Sequence, residues 1–281
     1  MPAIFTPDLF MQTSNNEQTR AARTYNSASD RYDDPANSFW ERFGGRTVGR
    51  LNLQPGMRVL DVCCGSGASA LAAAEVVGKS GYVLGLDLAA ELLQLARTKA
   101  ANRRLEHVEF RLGDMLNPGL AEADFDAVVC VFGIFFVSDM AAAVRQLWQR
   151  VRSGGQLAIS TWGPRFFEPL NTVFWNSVRE MRPELYKGFQ PWDRVAEPEA
   201  LQALMRAAGV TDPEAELELG AHLLRTPDDW WTMVLGSGYR ATVDQLEADA
   251  RARVHDQCLD FIRTNNTRSV EANVIYGRAV K

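Results

Sequence analysis

An α/β fold built on a largely parallel sheet is predicted by three features of this 281-residue sequence. Residues 58–70, R-V-L-D-V-C-C-G-S-G-A-S-A, join a short β-branched run to a glycine turn and an alanine-rich helix, which is the strand, turn and helix of a ligand-binding corner. A second apolar run at 82–86 ends in Asp87, about twenty residues beyond the turn. Further runs of strand length recur at 107–112, 125–132 and 156–162 with helical patterns among them, and strands alternating with helices pair in parallel. An apolar content of 46% and a charged content of 23% supply a large core, enough for one α/β unit with added segments.

The remaining elements follow in order. Ser14-x-x-Glu17 is a capping-box pattern and predicts a helix start within the polar stretch 13–34. Pro35 then predicts a second helix that runs to Leu51. The alanines of 69–77 let that helix approach the sheet closely, and Gly78 ends it. Residues 91–101 form an amphipathic helix. Ser138 or Asp139 caps the helix whose apolar stripe is Val144, Leu147, Trp148 and Val151, and Gly154-Gly155 ends it. From 163 to 195 the chain is irregular, with Pro164, Pro169, Pro183 and Pro191. Its aromatics Phe166, Phe167, Phe174, Trp175, Phe189 and Trp192 either wall a pocket over the fifth strand or fill a helical cap. Residues 197–208 are helical, and 214–224 read as one strand containing His222. Thr226-Pro227-Asp228-Asp229 starts a helix that breaks at Gly236-Ser237-Gly238. Thr242-x-x-Gln245 opens a longer helix with the stripe Val243, Leu246, Ala250, Val254, Cys258 and Phe261, and 272–279 forms the final strand. The resulting divisions are an N-terminal helical segment (1–52), a ligand-binding core (53–162), a cap containing the sixth strand (163–240), and a helix and strand that complete the core (241–281).

Two ligands compete for the corner. Gly65-x-Gly67-x-x-Ala70 fits a dinucleotide fingerprint, with Asp87 where a ribose-binding acid belongs. Asp61 separates the readings, because it places a carboxylate within the apolar strand just before the turn. That charge repels a pyrophosphate but favours the ammonium and sulfonium of S-adenosylmethionine, which carries no phosphate. No Lys or Arg stands between Arg58 and Lys79 to offset it.

The stretch at 58–70, together with G-Y-V-L-G-L-D-L, R-L-G-D-M and F-D-A-V-V-C-V-F-G, resembles the class I S-adenosylmethionine-dependent methyltransferases, most closely their UbiE-like, type 11 small-molecule branch, over residues 54–162. The resemblance implies a Rossmann-like fold with a mostly parallel seven-stranded sheet, an antiparallel last strand, N-terminal lid helices and a helical cap insertion. It implies S-adenosylmethionine as cofactor, bound by Asp61, Cys63, Gly65, Gly67, Asp87, Leu88, Gly113, Asp114, Met115 and Phe132. Asp87 would accept the ribose hydroxyls, Asp114 the adenine amine, and Met115 would pack on the ring. Tyr25, Tyr32, Phe39 and Trp40 are lid candidates. The family's members that methylate planar amines carry an N-P-P-Y-type tetrad after strand four; here Gly133-Ile134-Phe135-Phe136 stands there, an apolar lining suited to a hydrophobic or aromatic acceptor. The acceptor-pocket candidates are Tyr25, Tyr32, Phe135, Phe136, Trp162 and Phe166. Methyl transfer needs an acid or base only where the acceptor's own acidity is inadequate, and His255, His222 and Tyr32 are the titratable candidates.

A formal charge of −5 and a pI near 5.4 argue against nucleic acid as the partner, because phosphate backbones require a basic surface. No apolar run is long enough to span a bilayer and no signal-type segment opens the chain, so a cytoplasmic protein is expected. Cys63, Cys64, Cys130 and Cys258 lack the paired spacings of zinc or disulfide sites, and no metal is expected. The function that emerges is methyl transfer by in-line displacement to a small hydrophobic or aromatic molecule. The alternatives are a dinucleotide-dependent oxidoreductase and a non-catalytic module that binds S-adenosylmethionine.

Overall fold

Strand β1 (Arg58–Val62) lies inside the sheet, between β2 (Tyr82–Asp87) and β4 (Phe125–Val131), and runs parallel to both. The computed structural model describes residues 7–117, 119–120 and 124–281, with side chains in the first helix from Thr19 onward. The other strands are β3 (Val108–Leu112), β5 (Val151–Trp162), β6 (Glu214–Glu218), β7 (Ala221–Leu223), β8 (Ser269–Glu271) and β9 (Val274–Val280). The main sheet has seven strands in the order β3-β2-β1-β4-β5-β9-β6, with β9 antiparallel to both neighbours. This is the mostly parallel sheet with an antiparallel last strand that the sequence predicts.

Both faces of the sheet are buried, which is why its parallel strands read as continuous apolar runs. Leu60 and Val62 of β1, Leu84 and Leu86 of β2, and Val128 and Cys130 of β4 join one apolar cluster, while Val59, Val83, Ala127 and Val129 join the other. Helix α3 (Ala68–Val77) lays Ala70, Leu71, Ala74 and Val77 on the second cluster. Strand alternation puts Asp61 on this side with Val59. Helix α2 (Phe39–Val48) crosses the start of α3 at Gly44, where an added Cβ would stand 2.9 Å from Ala68 Cβ and from the Ser69 backbone nitrogen. On the opposite face, α5 (Met140–Arg150) contributes Val144 and Leu147, and α7 (Pro198–Ala207) contributes Leu201 and Met205.

Helix α4 (Ala90–Asn102) is crossed by α1 (Pro7–Tyr32), whose C-terminal part is fastened by the Asn26 side chain accepting the Glu91 N–H at 3.0 Å. The remaining helices are α6 (Leu170–Met181), α8 (Asp228–Leu235), the short α9 (Arg240–Val243) and α10 (Ala248–Thr264), with α6 packed on α10.

Several boundaries differ from expectation. The helix expected from Pro35 to Leu51 is a 3-10 turn at Pro35–Asn37 followed by α2, and Val151, Gly154 and Gly155, expected at the end of the helix that is α5, lie in β5. Helix α1 begins at Pro7, so Ser14 and Glu17 lie within it rather than at its start. The run 214–224 is two strands in two sheets: β6 pairs with β9, and β7 pairs with β8. The break falls at Gly220, whose N–H donates to Asn273 Oδ1 at 2.9 Å and whose carbonyl accepts the Ala272 N–H at 2.8 Å, so both chains change sheets at one crossing. Thr242 and Gln245 do not open the long helix. The Gln245 amide turns back to the Ala241 carbonyl at 2.5 Å, α9 ends at Val243, and α10 starts after Glu247.

The α2–α3 crossing yields a paired expectation. Gly44→Ala should lower stability by about 1–3 kcal/mol through overpacking. Gly45→Ala, with nothing within 4 Å of its added methyl, should raise it by up to about 1 kcal/mol through helix propensity. Urea midpoints of the two variants check both signs.

Candidate cofactor and acceptor site

The strand order reverses direction between β1 and β4, and a cavity opens at the carboxyl ends of the parallel strands there, where such sheets bind ligands. Cys63 and Gly65 follow β1, Asp87 ends β2 and Leu88 follows it, Gly113, Asp114 and Met115 follow β3, and Phe132 follows β4; all line the cavity. Cys63 and Phe132 have φ of 56° and 54°, a left-handed conformation that disfavours side chains by about 1–2 kcal/mol. It lets both strands turn sharply away from the cavity. Two expected cofactor residues stand elsewhere. Gly67, with φ of 85°, starts α3, and a Cβ there would meet Phe110 at 3.1 Å and Ala96 at 3.2 Å, so it serves close packing of turn and helices. Asp61 lies behind the wall, with Ser69 at the surface in front.

Asp87 ties the corner together. Its Oδ2 accepts the Gly65 N–H and its Oδ1 the Ala89 N–H, both at 2.8 Å, joining the glycine turn to the start of α4. With the Leu88 N–H also directed at it, the carboxylate keeps remaining acceptor capacity for a ligand hydroxyl. Burial raises its pKa, opposed by the N–H groups of Ala89, Gly65 and Leu88. Asp114 Oδ1 accepts the Leu116 N–H at 2.9 Å, which fixes the turn that presents it.

Asp61 is 1% exposed. The Ser69 hydroxyl donates to its Oδ2 at 2.7 Å, while Oδ1 has no hydrogen-bond partner among the described residues. Burial pushes its pKa up to about 7, with Asp87's charge adding to the rise and the Ser69 hydroxyl and Ala70 N–H opposing it. A carboxyl poised near neutrality beside an unfilled acceptor position fits a cationic ligand. Among the described residues no Lys or Arg lines the corner, so a pyrophosphate would meet Asp87 and Asp114 with no counter-charge from them.

The end of α1 covers this corner. The Tyr32 hydroxyl comes to 3.0 Å from where a Gly65 Cβ would stand, and its ring stacks on Trp40 at 5.1 Å. Asp33 Oδ1 accepts from the Ser66 hydroxyl at 2.6 Å and from Lys99 at 2.9 Å, clasping α1 to the glycine turn. Burial raises the pKa of Tyr25 and Tyr32, and the Asp87 charge adds to it. Both phenols are therefore protonated at neutral pH and neither is a resident base.

Beyond the corner lies an aromatic chamber of about 90 Å³. Trp162 stacks on Phe132 at 4.0 Å, and Phe166 lies 4.7 Å from both Trp162 and Trp192. Phe135, Phe136 and Tyr239 complete the wall. Tyr25 and Phe136 line the corner, this chamber and a larger outer cavity, so the three spaces meet at these rings. The six acceptor candidates are thus brought to one region, with Tyr32 on its cofactor side. The aromatics of 163–195 divide between the two roles expected of them. Phe174 is buried on α6, Phe167 and Trp175 are buried and also touch the chamber, Phe166 and Trp192 face it, and Phe189 lies exposed at the outer cavity.

The histidines are not brought to this region. His222 is buried with Nε2 bonded to the Ala36 carbonyl at 2.8 Å, and burial lowers its pKa. His255 lies on α10, 3.0 Å from Asp256 and edge-on to Trp231. Neither lines the corner, the chamber or the outer cavity, so neither is placed as an acid or base for this site. Among the described residues no group of three His, Cys, Asp or Glu is arranged to hold a metal, and no helix is long and apolar enough to cross a membrane. Sequence reasoning missed Tyr239, the Asp33–Ser66–Lys99 clasp and the cations of the outer cavity. Tyr239 follows Gly236-Ser237-Gly238, a break that marked only the end of a helix.

Residues 59–155 match a family described as a methyltransferase domain. A demethylmenaquinone methyltransferase of Alkalihalophilus pseudofirmus is 30% identical over 63% of this chain and 76% of its own length. The chain belongs to the UbiE-like branch of the class I S-adenosylmethionine-dependent methyltransferases. The demethylmenaquinone methyltransferase of Anoxybacillus flavithermus is 33% identical over 52% of this chain, which spans 63% of that relative's length. A solved structure from Anabaena variabilis, described as a putative methyltransferase from an antibiotic biosynthesis pathway, shares the fold with a TM-score of 0.60, 17% identity and coverage of 85% and 97% of the two chains. The cofactor of this family is S-adenosylmethionine, and the dinucleotide reading finds no support.

Asp61 yields a pH expectation for the chain. Its folded pKa of about 7 lies above the unfolded value of about 3.9, so its contribution to stability is full below the unfolded value and is lost as pH rises through about 7. Asp61→Asn, which keeps an acceptor for Ser69, should therefore stabilise the free protein by about 2–3 kcal/mol more at about pH 8 than at about pH 5. Urea unfolding at the two pH values measures it; equal effects at both would remove the buried charge as the cause.

Proposed function

We propose that this chain transfers the methyl group of S-adenosylmethionine to a flat, largely apolar aromatic acceptor seated among Trp162, Phe166, Trp192 and Tyr239. The observation that carries the reading is that Tyr25 and Phe136 line both the cofactor corner and the aromatic chamber. In this reading Asp87 accepts the ribose hydroxyls, Asp114 takes the adenine amine and Met115 and Leu88 pack against the ring. Asp61, through its unfilled oxygen and the Ser69 hydroxyl, provides the negative charge behind the amino-acid end. Cys63, Gly65, Gly113 and Phe132 shape the floor, and Gly67 sets the turn from behind it. The cofactor supplies a methyl group already activated by its sulfonium.

What the chain adds is alignment and dryness. Holding donor and acceptor in line converts a bimolecular step into an effectively unimolecular one, and the rings of Tyr25, Tyr32 and Phe136 keep water from the junction. With both phenols protonated and both histidines elsewhere, the acceptor must bring its own acidity. A simple phenol, with a pKa of about 10, falls short of that need at neutral pH, whereas a phenol acidified by electron-withdrawing ring substituents or a carbon flanked by carbonyls comes closer to it. The relatives named above for demethylmenaquinone, a quinone-class acceptor by name, agree with a ring of this kind.

Incubation with methyl-labelled S-adenosylmethionine and a metabolite extract, followed by identification of the labelled product, tests the reading. A labelled small aromatic molecule is expected; label confined to protein or nucleic acid would overturn it. Asp87→Ala should weaken S-adenosylhomocysteine binding by about 1.5–3 kcal/mol, tenfold or more, by removing charge-assisted hydrogen bonds. Unchanged affinity in a folded variant would count against Asp87 as the ribose anchor.

A further inference from the structure

We infer that the acceptor carries an anionic oxyacid group, received by Arg20, Lys187 and Arg194 at the outer end of the chamber. The inference rests on the proposed methyl transfer and adds to it the charge and the orientation of the molecule that is methylated.

The outer cavity has a volume of about 490 Å³, within the range that accommodates small ligands. It shares Tyr25, Phe135, Phe136, Lys187, Pro191 and Gly238 with the aromatic chamber, so the two are one continuous space. Its charged lining is of a single sign: Arg20 from α1 and Lys187 and Arg194 from the irregular segment that precedes α7, with no Asp or Glu among the described residues that line it. Some arginines elsewhere are paired, Arg50 with Glu216 and Glu218, Arg240 with Asp30 and Asp244, and Arg225 with Asp229, whereas others, Arg42 and Arg97 among them, reach only backbone carbonyls; what distinguishes the three cations here is that they line one cavity.

None of the three cations of the cavity has a carboxylate partner among the described residues. Arg194 reaches only the Pro191 and Phe135 carbonyls, at 3.4 and 3.5 Å. The Lys187 ammonium lies 5.5 Å over the Trp175 ring. Burial and the charge of Arg20 lower the Lys187 pKa. Converging like charges at a partly desolvated mouth repel one another, and an anion relieves that repulsion while filling the donors. Because the cations stand at the outer end and the cofactor corner at the inner end, they would fix which end of the acceptor enters first. The anion stays outside and the nucleophilic atom points to the methyl group.

The test uses S-adenosylhomocysteine-saturated protein titrated with two probes of one ring system, 1-hydroxy-2-naphthoate and neutral 1-naphthol, followed by tryptophan fluorescence. The carboxylate should bind about tenfold or more tightly. Its advantage should shrink between about 50 mM and about 500 mM salt. The double variant Lys187→Gln/Arg194→Gln should lose the preference while binding S-adenosylhomocysteine and 1-naphthol as the parent does. Equal binding of the two probes, binding of neither to the saturated protein, or a preference that survives the double substitution overturns the inference. If the double variant fails to bind S-adenosylhomocysteine, the single Lys187→Gln variant and the salt series on the parent decide, and a salt-independent preference overturns it. Failure of the parent to bind S-adenosylhomocysteine is a separate result that strikes the methyltransferase reading itself.

Discussion

The carboxyl group of Asp61 is held on the α3 side of an interior strand, bonded through one oxygen to the Ser69 hydroxyl and unsatisfied at the other. A buried acid with an open acceptor is expensive unless a charge of opposite sign comes to it. The surroundings are organised to keep it there. Strand β1 pairs on both sides, so its register fixes which face Asp61 occupies. The glycine turn brings the first turn of α3, and Ser69 with it, over the strand end, and Gly44 lets α2 press on the same turn without a clashing Cβ. A buried carboxyl left with an open acceptor costs stability, and in the proposed reading a bound cation would offset that cost, a recognised compromise between stability and function.

Around that point, in the proposed reading, the corner and the chamber would separate donor from acceptor. Asp87 locks the glycine turn to α4, and the Asp33–Ser66–Lys99 clasp lays α1 over both. From Tyr32 and Trp40 the aromatic contacts run without a gap through Phe132 and Trp162 to Phe166, Trp192 and Tyr239. Rings in contact form a rigid apolar wall at small entropic cost. The polar end of the system is therefore confined to the strand ends, and the acceptor side presents faces and edges of rings until the outer cations are reached.

The donor corner was legible in sequence because its residues are local: each follows a strand by one or two positions, and strand ends in a parallel sheet converge on one place. Cys63, Gly65, Asp87, Leu88, Gly113, Asp114, Met115 and Phe132 all meet there for that reason. Gly67 was read as a ligand glycine, yet its missing side chain serves Phe110 and Ala96, a packing need that looks identical in one dimension. The acceptor side was only half legible. Its aromatics announced themselves, but Lys187 and Arg194 sit among prolines in a segment without periodicity, and only tertiary folding brings them beside Arg20 of α1. His222 and His255 drew attention as titratable groups in a chain with three histidines; their positions on β7 and α10 depend on long-range packing that no spacing encodes. The split of 214–224 was hidden in the same way, since Gly220 bends the chain only in partnership with Asn273.

The central claim is that Asp61 is the counter-charge of the methyl donor, and proton linkage reads it directly. Calorimetric titration of S-adenosylmethionine at about pH 6.5, in two buffers of different ionisation enthalpy, counts the protons exchanged on binding. A carboxyl with a pKa of about 7 when free is mostly protonated there, so binding of the cation should release a substantial fraction of a proton, and the release should vanish in Asp61→Asn. Binding with no proton release, or with the same release in the variant, would contradict the account.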